Sequence, residues 1–350
     1  MSKFWVTIPQ GEDKKVEGII SKDKPPFELN YFNIQLNNNL IVNVFINEAL
    51  NQDVLMFIAN NGLSPSGNSY ILNPKSVLGR VTSKVVTINK LGEKNLGFAL
   101  SIPHSIKMKD EIIETGLTTN LCVSTKHRNL EIAKLLISSI IDYGYTNQIY
   151  TGYHYISEAK NATNIPVKNF YRPINVELAR ECGYQLPDVD YILNKSSDYS
   201  IRKSEVKDFD ICYTLDRHLT ICMNEKTFID QNRDSECLTV LYKGKVIGVC
   251  IYKTVLLKIA KTNKICPVAR LVFFDCVEDH THHAMSQIIN YIISGKRHIV
   301  LSGVCLGNLT DEATRKKLNM FVSGESYLDF YNLYINEENR NAQKVNLMYI

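Results

Sequence analysis

The chain ends on four apolar residues, Leu347, Met348, Tyr349 and Ile350, with no polar tail after them. Chain ends usually fray in water unless tertiary contacts hold them, so an apolar end predicts that the last residues are packed. A packed end would hold the α-carboxylate of Ile350 inside the protein, where it could act as a base. The alternative without chemistry is a last strand that finishes in the core.

A polar loop between an apolar strand and a helix is the second candidate. Residues 119–123 are mostly apolar, residues 124–129 are polar, and a strongly helical pattern covers residues 130–141. A helix N-terminus offers unpaired N–H groups and the positive end of a dipole. With Lys126 and Arg128 beside it, the loop predicts a phosphate or pyrophosphate site, although a solvated polar turn explains the same residues.

The remaining candidate residues give weaker signals. Thr151 lies at the predicted end of a strand, where it could hydrogen-bond a ligand or only cap the strand. Cys122 lies in an apolar strand and is predicted to be a small core residue, not a nucleophile. The histidines within residues 280–283 lack zinc-ligand spacing and are predicted to form a helix N-terminal turn. The sequence has no P-loop, no dinucleotide-binding fingerprint and no Ser/His/Asp order.

The composition is that of an ordinary globular protein. The chain has 350 residues, of which 45% are hydrophobic and 22% charged, and its formal net charge is +4. That charge is too small to predict nucleic-acid binding, and no apolar run is long enough for stable insertion into a membrane. The nine cysteines lack zinc spacing and no secretory segment follows Met1. We therefore predict reduced thiols, no metal and a cytoplasmic protein.

The periodicity of apolar residues predicts the elements of the first half of the chain. These are a helix over residues 38–57, strands over residues 81–88, 95–103 and 117–123, a helix over residues 130–141 that ends near Gly144, and a short strand that ends at Tyr150 and Thr151. Pro103 is expected to stop the second of these strands, because proline has no N–H group for the ladder.

The second half repeats this order. The predicted elements are a helical stretch from Glu205, a hairpin of residues 238–242 and 246–252, a strand over residues 269–276, a helix over residues 283–293 and a strand over residues 298–304. The repetition predicts an internal duplication and an α/β or α+β class with a mixed sheet. The least structured joint, residues 186–200, predicts a lobe boundary near residue 190.

Several segments, in order along nearly the whole chain, resemble the glycylpeptide N-tetradecanoyltransferase (N-myristoyltransferase) family. They are Phe4-Trp5-Val6-Thr7-Ile8-Pro9, Gly97-Phe98 through Ile102-Pro103, Asn120-Leu121-Cys122-Val123 with Lys126 and Arg128, Tyr150-Thr151, Phe170-Tyr171-Arg172-Pro173-Ile174-Asn175, and Gly324 with the apolar terminus. Each motif alone is moderately specific, and their shared order carries the resemblance.

The resemblance implies two tandem GNAT-like acyltransferase lobes with a pseudo-twofold relation. Residues 1–190 would form the lobe that binds myristoyl-CoA, and residues 191–350 the lobe that supplies much of the peptide site. The implied activity is transfer of myristoyl from myristoyl-CoA, a co-substrate, to the α-amine of an N-terminal glycine, without a prosthetic group. The partners would be proteins or peptides that begin with glycine, and the enzyme is expected to be a monomer.

The resemblance also assigns roles to individual residues. The α-carboxylate of Ile350 would be the base, Thr151 would contact the amine, and the backbone N–H groups of Asn120 and Leu121 would bind the oxyanion. The implied acyl-CoA contacts are Lys3, Phe4, Trp5, Leu121, Cys122, Val123, Lys126, Arg128, Asn129, Leu130, Glu131, Ile132 and Ala133. The implied peptide contacts are Asp53, Phe57, Tyr150, Gly152, Tyr171, Phe274, Asn308, Gly324 and Leu347.

The sequence departs from the family pattern at several places. Asn120 stands where the family has phenylalanine, at the implied oxyanion position. Leu130 and Glu131 stand where the family has basic residues, which removes positive charge near the expected pyrophosphate. The family's acidic run is reduced to Asp53, which predicts a weaker preference for basic residues after the substrate glycine. Tyr171 replaces a histidine. A non-catalytic acyl-CoA or peptide-binding relative is therefore the alternative hypothesis. The acyl-chain length, the protein substrates and any acylation of lysine stay open.

Overall fold

The computed structural model describes residues 17–23, 40–46, 52–61, 69–71, 84–90, 95–128, 132–159, 162–193, 196–259 and 262–349. The predicted sites at Lys3, Phe4, Trp5, Asn129, Leu130, Glu131 and Ile350 lie outside these ranges, as does the side chain of Asp53.

The strands are β1 Gly18–Ile19, β2 Leu40–Ile46, β3 Ser69–Ile71, β4 Lys84–Lys90, β5 Asn95–Met108, β6 Glu111–Val123, β7 Thr151–Ile156, β8 Ile165–Pro173, β9 Tyr199–Lys203, β10 Leu219–Cys222, β11 Ser235–Tyr242, β12 Lys245–Lys258, β13 Ile265–Cys276, β14 Val300–Val304, β15 Phe321–Tyr331, β16 Leu333–Tyr334 and β17 Val345–Asn346. The α-helices are α1 Gln52–Asn61, α2 Ile132–Thr146, α3 Val176–Glu181, α4 Glu225–Asn232, α5 Thr281–Ser294 and α6 Glu312–Lys317. Within the described ranges, no helix is both long enough and apolar enough to cross a membrane.

Fifteen strands form one mixed sheet, which confirms the predicted α/β class. Its continuous path runs β17-β10-β5-β6-β7-β15-β8-β14-β13-β12-β11-β9, while β4 joins β2 to β5 and β3 pairs with β12. Because this sheet passes through both halves of the chain, strand pairing marks no break near residue 190, and the predicted lobe boundary stays a prediction.

The two halves repeat one unit, as the sequence predicts. In the first half, β5 and β6 form an antiparallel pair, α2 follows, and β7 returns parallel to β6. In the second half, β12 and β13 form the pair, α5 follows, and β14 returns parallel to β13. A helix is the usual crossover between neighbouring parallel strands, so each half is a complete β-β-α-β unit.

The halves then exchange their next strands. β8 follows β7 in the chain but pairs with β14 of the second half, and β15 follows β14 but pairs with β7 of the first half. β8 and β15 pair with each other at the centre. This reciprocal exchange makes the junction of the two halves a continuous ladder.

Close packing of α2 on its sheet depends on a glycine, and the equivalent glycine of the second half faces the neighbouring strand β13. The apolar face of α2 buries Ile132, Leu135 and Leu136. A Cβ on Gly97 of β5 would lie 2.7 Å from Ile132 Cγ2 and 3.0 Å from Leu136 Cδ1, so only glycine allows this approach of helix and strand. Gly248 stands at the equivalent position in β12, where a Cβ would lie 2.9 Å from the Asp275 carbonyl oxygen.

Several element predictions are wrong, either in the type of element or in its bounds. Residues 40–46 form a strand, not a helix, because the run Leu-Ile-Val-Asn-Val-Phe-Ile is rich in β-branched residues, and the helix begins only at Gln52. Pro103 does not stop β5. Pro103 pairs with Gly116 of β6 on one side. On the other side, β5 pairs with β4 up to Ser101 and with β10 from Ser105, so no described strand needs an N–H group from Pro103 there. Thr151 begins a strand instead of ending one.

The prediction that all the cysteines are reduced is wrong for one pair. The structure joins Cys182, which ends α3, to Cys266 of β13 in a disulfide. Both residues belong to a buried apolar cluster under α3, and 84 residues of chain separate them, so their spacing gave no signal. The other seven cysteines are free thiols.

Candidate active site

The strands β6 and β7 diverge after a short parallel contact. Only residues 115–117 of β6 pair with residues 151–153 of β7, while β6 continues to Val123. From Thr118 to Leu121 the strand is partly exposed, although β6 lies between two other strands of the sheet. The divergence therefore opens a cleft along β6, which we call the first cleft.

A β-bulge lies in this cleft at the predicted oxyanion site. Phe98 pairs with Cys122 and Leu100 pairs with Thr119, so Asn120 and Leu121 together face the single residue Ala99. Asn120 has a φ of 53°, in the left-handed region that asparagine tolerates better than most residues. A bulge takes backbone groups out of the regular ladder, so backbone N–H groups here can serve another acceptor.

The loop after the bulge carries the predicted phosphate contacts. The Ser124 amide donates to the Leu96 carbonyl (2.8 Å), and a 3₁₀ helix follows at Thr125–His127. Lys126 and Arg128 are exposed beside it. Cations at the mouth of an open cleft, just before the N-terminal end of α2, favour binding of an anion.

Four neighbouring residues are buried or half-buried. Cys122 is buried, and burial raises the pKa of its thiol to about 12, which confirms it as a core residue, not a nucleophile. Ile132 is 1% exposed, so its side chain belongs to the core and only its backbone can face a ligand. Val123 and Ala133 are half-buried at the ends of β6 and α2.

Thr151 lies at the first residue of β7. It is buried, and its hydroxyl donates to the Glu114 carbonyl at 3.1 Å. Its oxygen keeps lone pairs that can accept an N–H. Gly152 follows, where a Cβ would lie 3.2 Å from the Gly116 carbonyl oxygen, and the Tyr150 carbonyl accepts a bond from Asn332 Nδ2 (2.8 Å).

The C-terminal segment is packed, as the apolar ending predicts. Val345, Asn346, Leu347 and Met348 are each at most 2% exposed. The Lys344 carbonyl accepts bonds from the amides of His218 and Leu219, and β17 then runs parallel to β10. These contacts fix the segment up to the last described residue, Tyr349.

This segment crosses the second half before it reaches the first. The Asn346 side chain donates to the Phe274 carbonyl (2.8 Å), and the Tyr349 amide donates to the Val272 carbonyl (2.8 Å). Val272 is itself at a bulge of β13, because Ile251 pairs with Phe273 and Tyr252 with Leu271. A bulge again frees a backbone group, here for the chain's own end.

A buried ion pair lies beside the same C-terminal segment. Arg217 Nη2 lies 3.0 Å from Asp275 Oδ1, and both side chains are at most 8% exposed. Burial raises the pKa of the Asp275 carboxyl, while Arg217 and Asn346 oppose that rise. Gly307, with a φ of 52°, lets the backbone come close, since a Cβ there would lie 3.1 Å from Asn346 Nδ2.

The second half has its own diverging strand pair, which we call the second cleft. Only residues 268–270 of β13 pair with residues 300–302 of β14. Every residue of β13 from 271 to 276 is buried, in contrast to the exposed stretch of β6. Residues 345–349 pack here, at the position equivalent to the partly exposed stretch of β6 in the first half.

The loops beside the two clefts carry opposite charges. The Val277 amide donates to Ile247 (2.8 Å) as Ser124 does to Leu96, so the loops are structurally equivalent. The second loop carries Glu278 and Asp279, both exposed, where the first carries Lys126 and Arg128. The predicted turn at residues 280–283 is confirmed as the start of α5. The described residues contain no cluster of three or more His, Cys, Asp or Glu suited to a metal.

The predicted peptide contacts are distributed over several parts of the fold. Phe57 and Leu347 are buried in one core cluster with Tyr153. Phe274 is buried in a second cluster, and Asn308 donates to the Cys276 carbonyl (2.5 Å) and to Thr281 Oγ1 (2.8 Å). The Phe274 side chain is therefore packed, and the Asn308 amide hydrogen-bonded, within the second half.

The other predicted contacts lie on the exchanged strands. The Tyr171 hydroxyl donates to the Gln185 carbonyl (2.8 Å), and its ring packs near Tyr184 and Phe321. Gly324 is exposed at a bulge of β15, opposite Asn169.

Sequence reasoning missed the residues that hold the C-terminal segment. Tyr153, Tyr155 and Asp275 contact it, while His104 and Arg217 contact Tyr153 and Asp275 in turn. The hydroxyls of Tyr153 and Tyr155 both lie 3.4 Å from the Met348 carbonyl oxygen. The spacing Thr151-x-Tyr153-x-Tyr155 places all three on one face of a strand, which was the available signal. Arg217 and Asp275 are 58 residues apart, and nothing local links them.

Comparison with known proteins identifies the fold. No family model and no curated sequence matches the chain. Among solved structures, N-myristoyltransferase of Saccharomyces cerevisiae with bound myristoyl-CoA superposes with a TM-score of 0.77, at 16% identity, over 99% of this chain and 94% of that chain. A second structure of the yeast enzyme with bound myristoyl-CoA gives a TM-score of 0.75 at 15% identity, over 99% of both chains. The chain therefore has the N-myristoyltransferase fold, as the sequence resemblance implies.

Proposed function

We propose that this protein transfers a myristoyl group from myristoyl-CoA to the α-amine of an N-terminal glycine. The observation that carries the proposal is the buried path of the C-terminal segment. It fills the second cleft and reaches β7 of the first half, where Tyr153 and Tyr155 contact the Met348 carbonyl.

The first cleft is the proposed acyl-CoA site. Myristoyl-CoA is bound by the yeast enzyme of the same fold. In this chain, Lys126 and Arg128 would bind the pyrophosphate together with N–H groups at the start of α2. Of the two equivalent clefts, only the first combines an open strand with a basic loop.

The terminal carboxylate is the proposed base. A free α-amine has a pKa of about 7.7–8.0, so most of it is protonated at neutral pH and cannot attack a thioester. Consecutive Cα atoms are about 3.8 Å apart, so anchoring Tyr349 restricts where the Ile350 carboxylate can lie. An apolar environment raises the proton affinity of a carboxylate, which suits removal of the amine proton. Thr151 Oγ1 would accept an N–H of the same amine.

The bulge of β6 is the proposed oxyanion hole. The neutral amine attacks the thioester carbon, a C–N bond forms, and the carbonyl oxygen gains negative charge. Backbone N–H groups of Asn120 and Leu121 would stabilise that charge. The C–S bond then breaks, the nitrogen gives up its extra proton, the CoA thiolate that leaves takes up that proton, and the product is an amide.

The direct test is mass spectrometry of a glycine-initiated peptide incubated with the protein and myristoyl-CoA, beside the same peptide with alanine first. We expect a mass increase of one myristoyl group on the glycine peptide only. Calorimetry with myristoyl-CoA gives the second readout. Tight binding without acylation of any peptide in a varied set would overturn the proposal in favour of a non-catalytic binding relative.

A further inference from the structure

One face of β7 is directed at the C-terminal segment. Thr151, Tyr153 and Tyr155 alternate along the strand and therefore share a face. Both tyrosine hydroxyls lie 3.4 Å from the Met348 carbonyl oxygen, two residues before the chain end. The proposed amine contact and the two tyrosines thus lie on one face of one strand.

A count of protons separates the roles of the two tyrosines. His104 Nδ1 lies 3.0 Å from the Ile102 carbonyl oxygen, which can only accept, so Nδ1 carries a proton. In neutral histidine Nε2 is then an acceptor, and the Tyr153 hydroxyl donates to it at 3.0 Å. A hydroxyl has a single proton, so the Met348 carbonyl receives its hydrogen bond from Tyr155.

Neighbouring rings and burial restrict the positions of Tyr153, Tyr155 and Tyr349. Tyr153 is 1% exposed, and its ring meets His104 edge to face with centroids 5.5 Å apart. Burial raises the pKa of both Tyr153 and Tyr155, so both hydroxyls stay protonated. The Tyr349 ring is held between the edge of Tyr155, at 4.9 Å, and the Arg270 guanidinium, at 5.4 Å.

We infer that Tyr155, with Tyr153 held by His104, forms a positioning unit that fixes the Met348 carbonyl and thereby the terminal carboxylate relative to Thr151. This inference rests on the proposed acyl transfer. Tyr153 and Tyr155 contact the Met348 carbonyl and His104 contacts Tyr153, so the effect of all three on catalysis passes through the position of the base. Loss of one such hydrogen bond lets the carboxylate leave its productive position.

The first experiment compares Tyr155→Phe with Tyr213→Phe. The second variant is the matched control, because the Tyr213 hydroxyl also bonds a backbone group, the Met223 amide at 3.0 Å, in another part of the fold. We expect Tyr155→Phe to lower kcat about tenfold with an unchanged KM for myristoyl-CoA, and Tyr213→Phe to keep both. An unchanged kcat in Tyr155→Phe would overturn the inference.

A second background tests whether the effect passes through the chain end. When several polar residues follow Ile350, the carboxylate is displaced and the unit has nothing left to position. Tyr155→Phe should then cause no further loss of the residual activity. An equal fold-loss in the native and extended chains would show a general structural effect and would contradict the inference.

A readout without activity separates this inference from the proposed function. The Tyr349 amide bonds to Val272, so its hydrogen exchange reports how firmly the segment is held. We expect faster exchange in Tyr155→Phe than in the native chain or Tyr213→Phe. If the native chain transfers no acyl group but exchange changes in this way, the proposed function fails and the anchoring stands. Unchanged exchange means that the anchoring fails, whatever the activity.

Discussion

At the residue scale, Asn120 shows how a departure from the family pattern fits the backbone. The family has phenylalanine where this chain has asparagine, at the predicted oxyanion position. In the structure this residue adopts a φ of 53°, which asparagine tolerates. The proposed donors are backbone N–H groups, so the side chain is free to serve the conformation of the bulge.

Substitutions at Asn120 test this account. Asn120→Gly keeps the left-handed backbone and should keep both stability and acyl transfer. Asn120→Val places a β-branched residue at positive φ and should lower the free energy of unfolding by about 1–2 kcal/mol, with a loss of kcat because the bulge shifts. Chemical denaturation and the peptide assay measure the two effects. Full activity in Asn120→Val would contradict a role for the bulge.

The sequence alone predicted some of these residues and missed others. Cys122, the basic pair Lys126 and Arg128, and the packed apolar end were predicted from local pattern. The Arg217–Asp275 pair and the Cys182–Cys266 disulfide join segments far apart in the chain, so no local pattern announces them.

At the element scale, the buried carboxylate of Glu17, next to β1, joins the start of β1 to the last part of the chain. Glu17 Oε2 lies 2.6 Å from Lys109 Nζ, at the turn between β5 and β6. Glu17 Oε1 accepts bonds from the Asn336 amide at 2.8 Å and from Asn339 Nδ2 at 3.0 Å. The Glu17 side chain is 4% exposed, so this junction depends on the charge of one carboxylate.

The stability of this junction should depend on pH. Burial alone would raise the pKa of Glu17, but hydrogen bonds from Asn339, Lys109 and the Asn336 amide lower it from 4.5 to about 2. Because the folded pKa is below the unfolded one, ionised Glu17 stabilises the fold above pH of about 4.5, and this contribution is lost as the pH falls towards 2.

We expect the native chain to lose roughly 1–3 kcal/mol more than Glu17→Gln over that window. Denaturation at several pH values measures the difference. Glu181→Gln is the control, because the ion pair of Glu181 with Lys264 is exposed and should contribute little. Parallel pH curves for the native chain and Glu17→Gln would contradict the assignment.

Element type was predictable where the apolar pattern was long, and less so where it was short. The hairpin of β11 and β12 and the helices α2 and α5 were expected from sequence. The run 40–46 was mistaken for helix because a short apolar run fits both periods. The continuation of β5 through Pro103 depends on the absence of a neighbour at that point, which is a property of the whole sheet.

At the scale of the whole molecule, the two repeated halves each contain a cleft between diverging strands, and the two clefts differ in what occupies them. The repeated β-β-α-β order predicted the duplication, but it could not reveal that the halves exchange β8 and β15. Nor could it reveal that residues 345–349 pack into the second cleft, while β6 is partly exposed in the first. Both features depend on long-range pairing, which periodicity does not encode.

The asymmetry of charge between the clefts predicts where acyl-CoA binds. Lys126→Ala and Arg128→Ala should each weaken myristoyl-CoA binding about fivefold. This loss of affinity should be smaller at high salt, because salt screens the charges. Lys316→Ala is the control, because Lys316 is an exposed cation on α6 paired with Glu312. Calorimetry at two salt concentrations measures the effect. Equal losses in all three variants would contradict a site at the first cleft.

The central claim is that a buried chain end supplies the base for acyl transfer, and one measurement tests it most directly. Acylation of a glycine-initiated peptide is followed by mass spectrometry for the native chain, for a chain with several polar residues after Ile350, and for a chain with the same residues inserted after the exposed Asp188. The account predicts that the terminal extension abolishes transfer while myristoyl-CoA binding persists, and that the loop insertion leaves transfer intact. Undiminished transfer by the extended chain would contradict it.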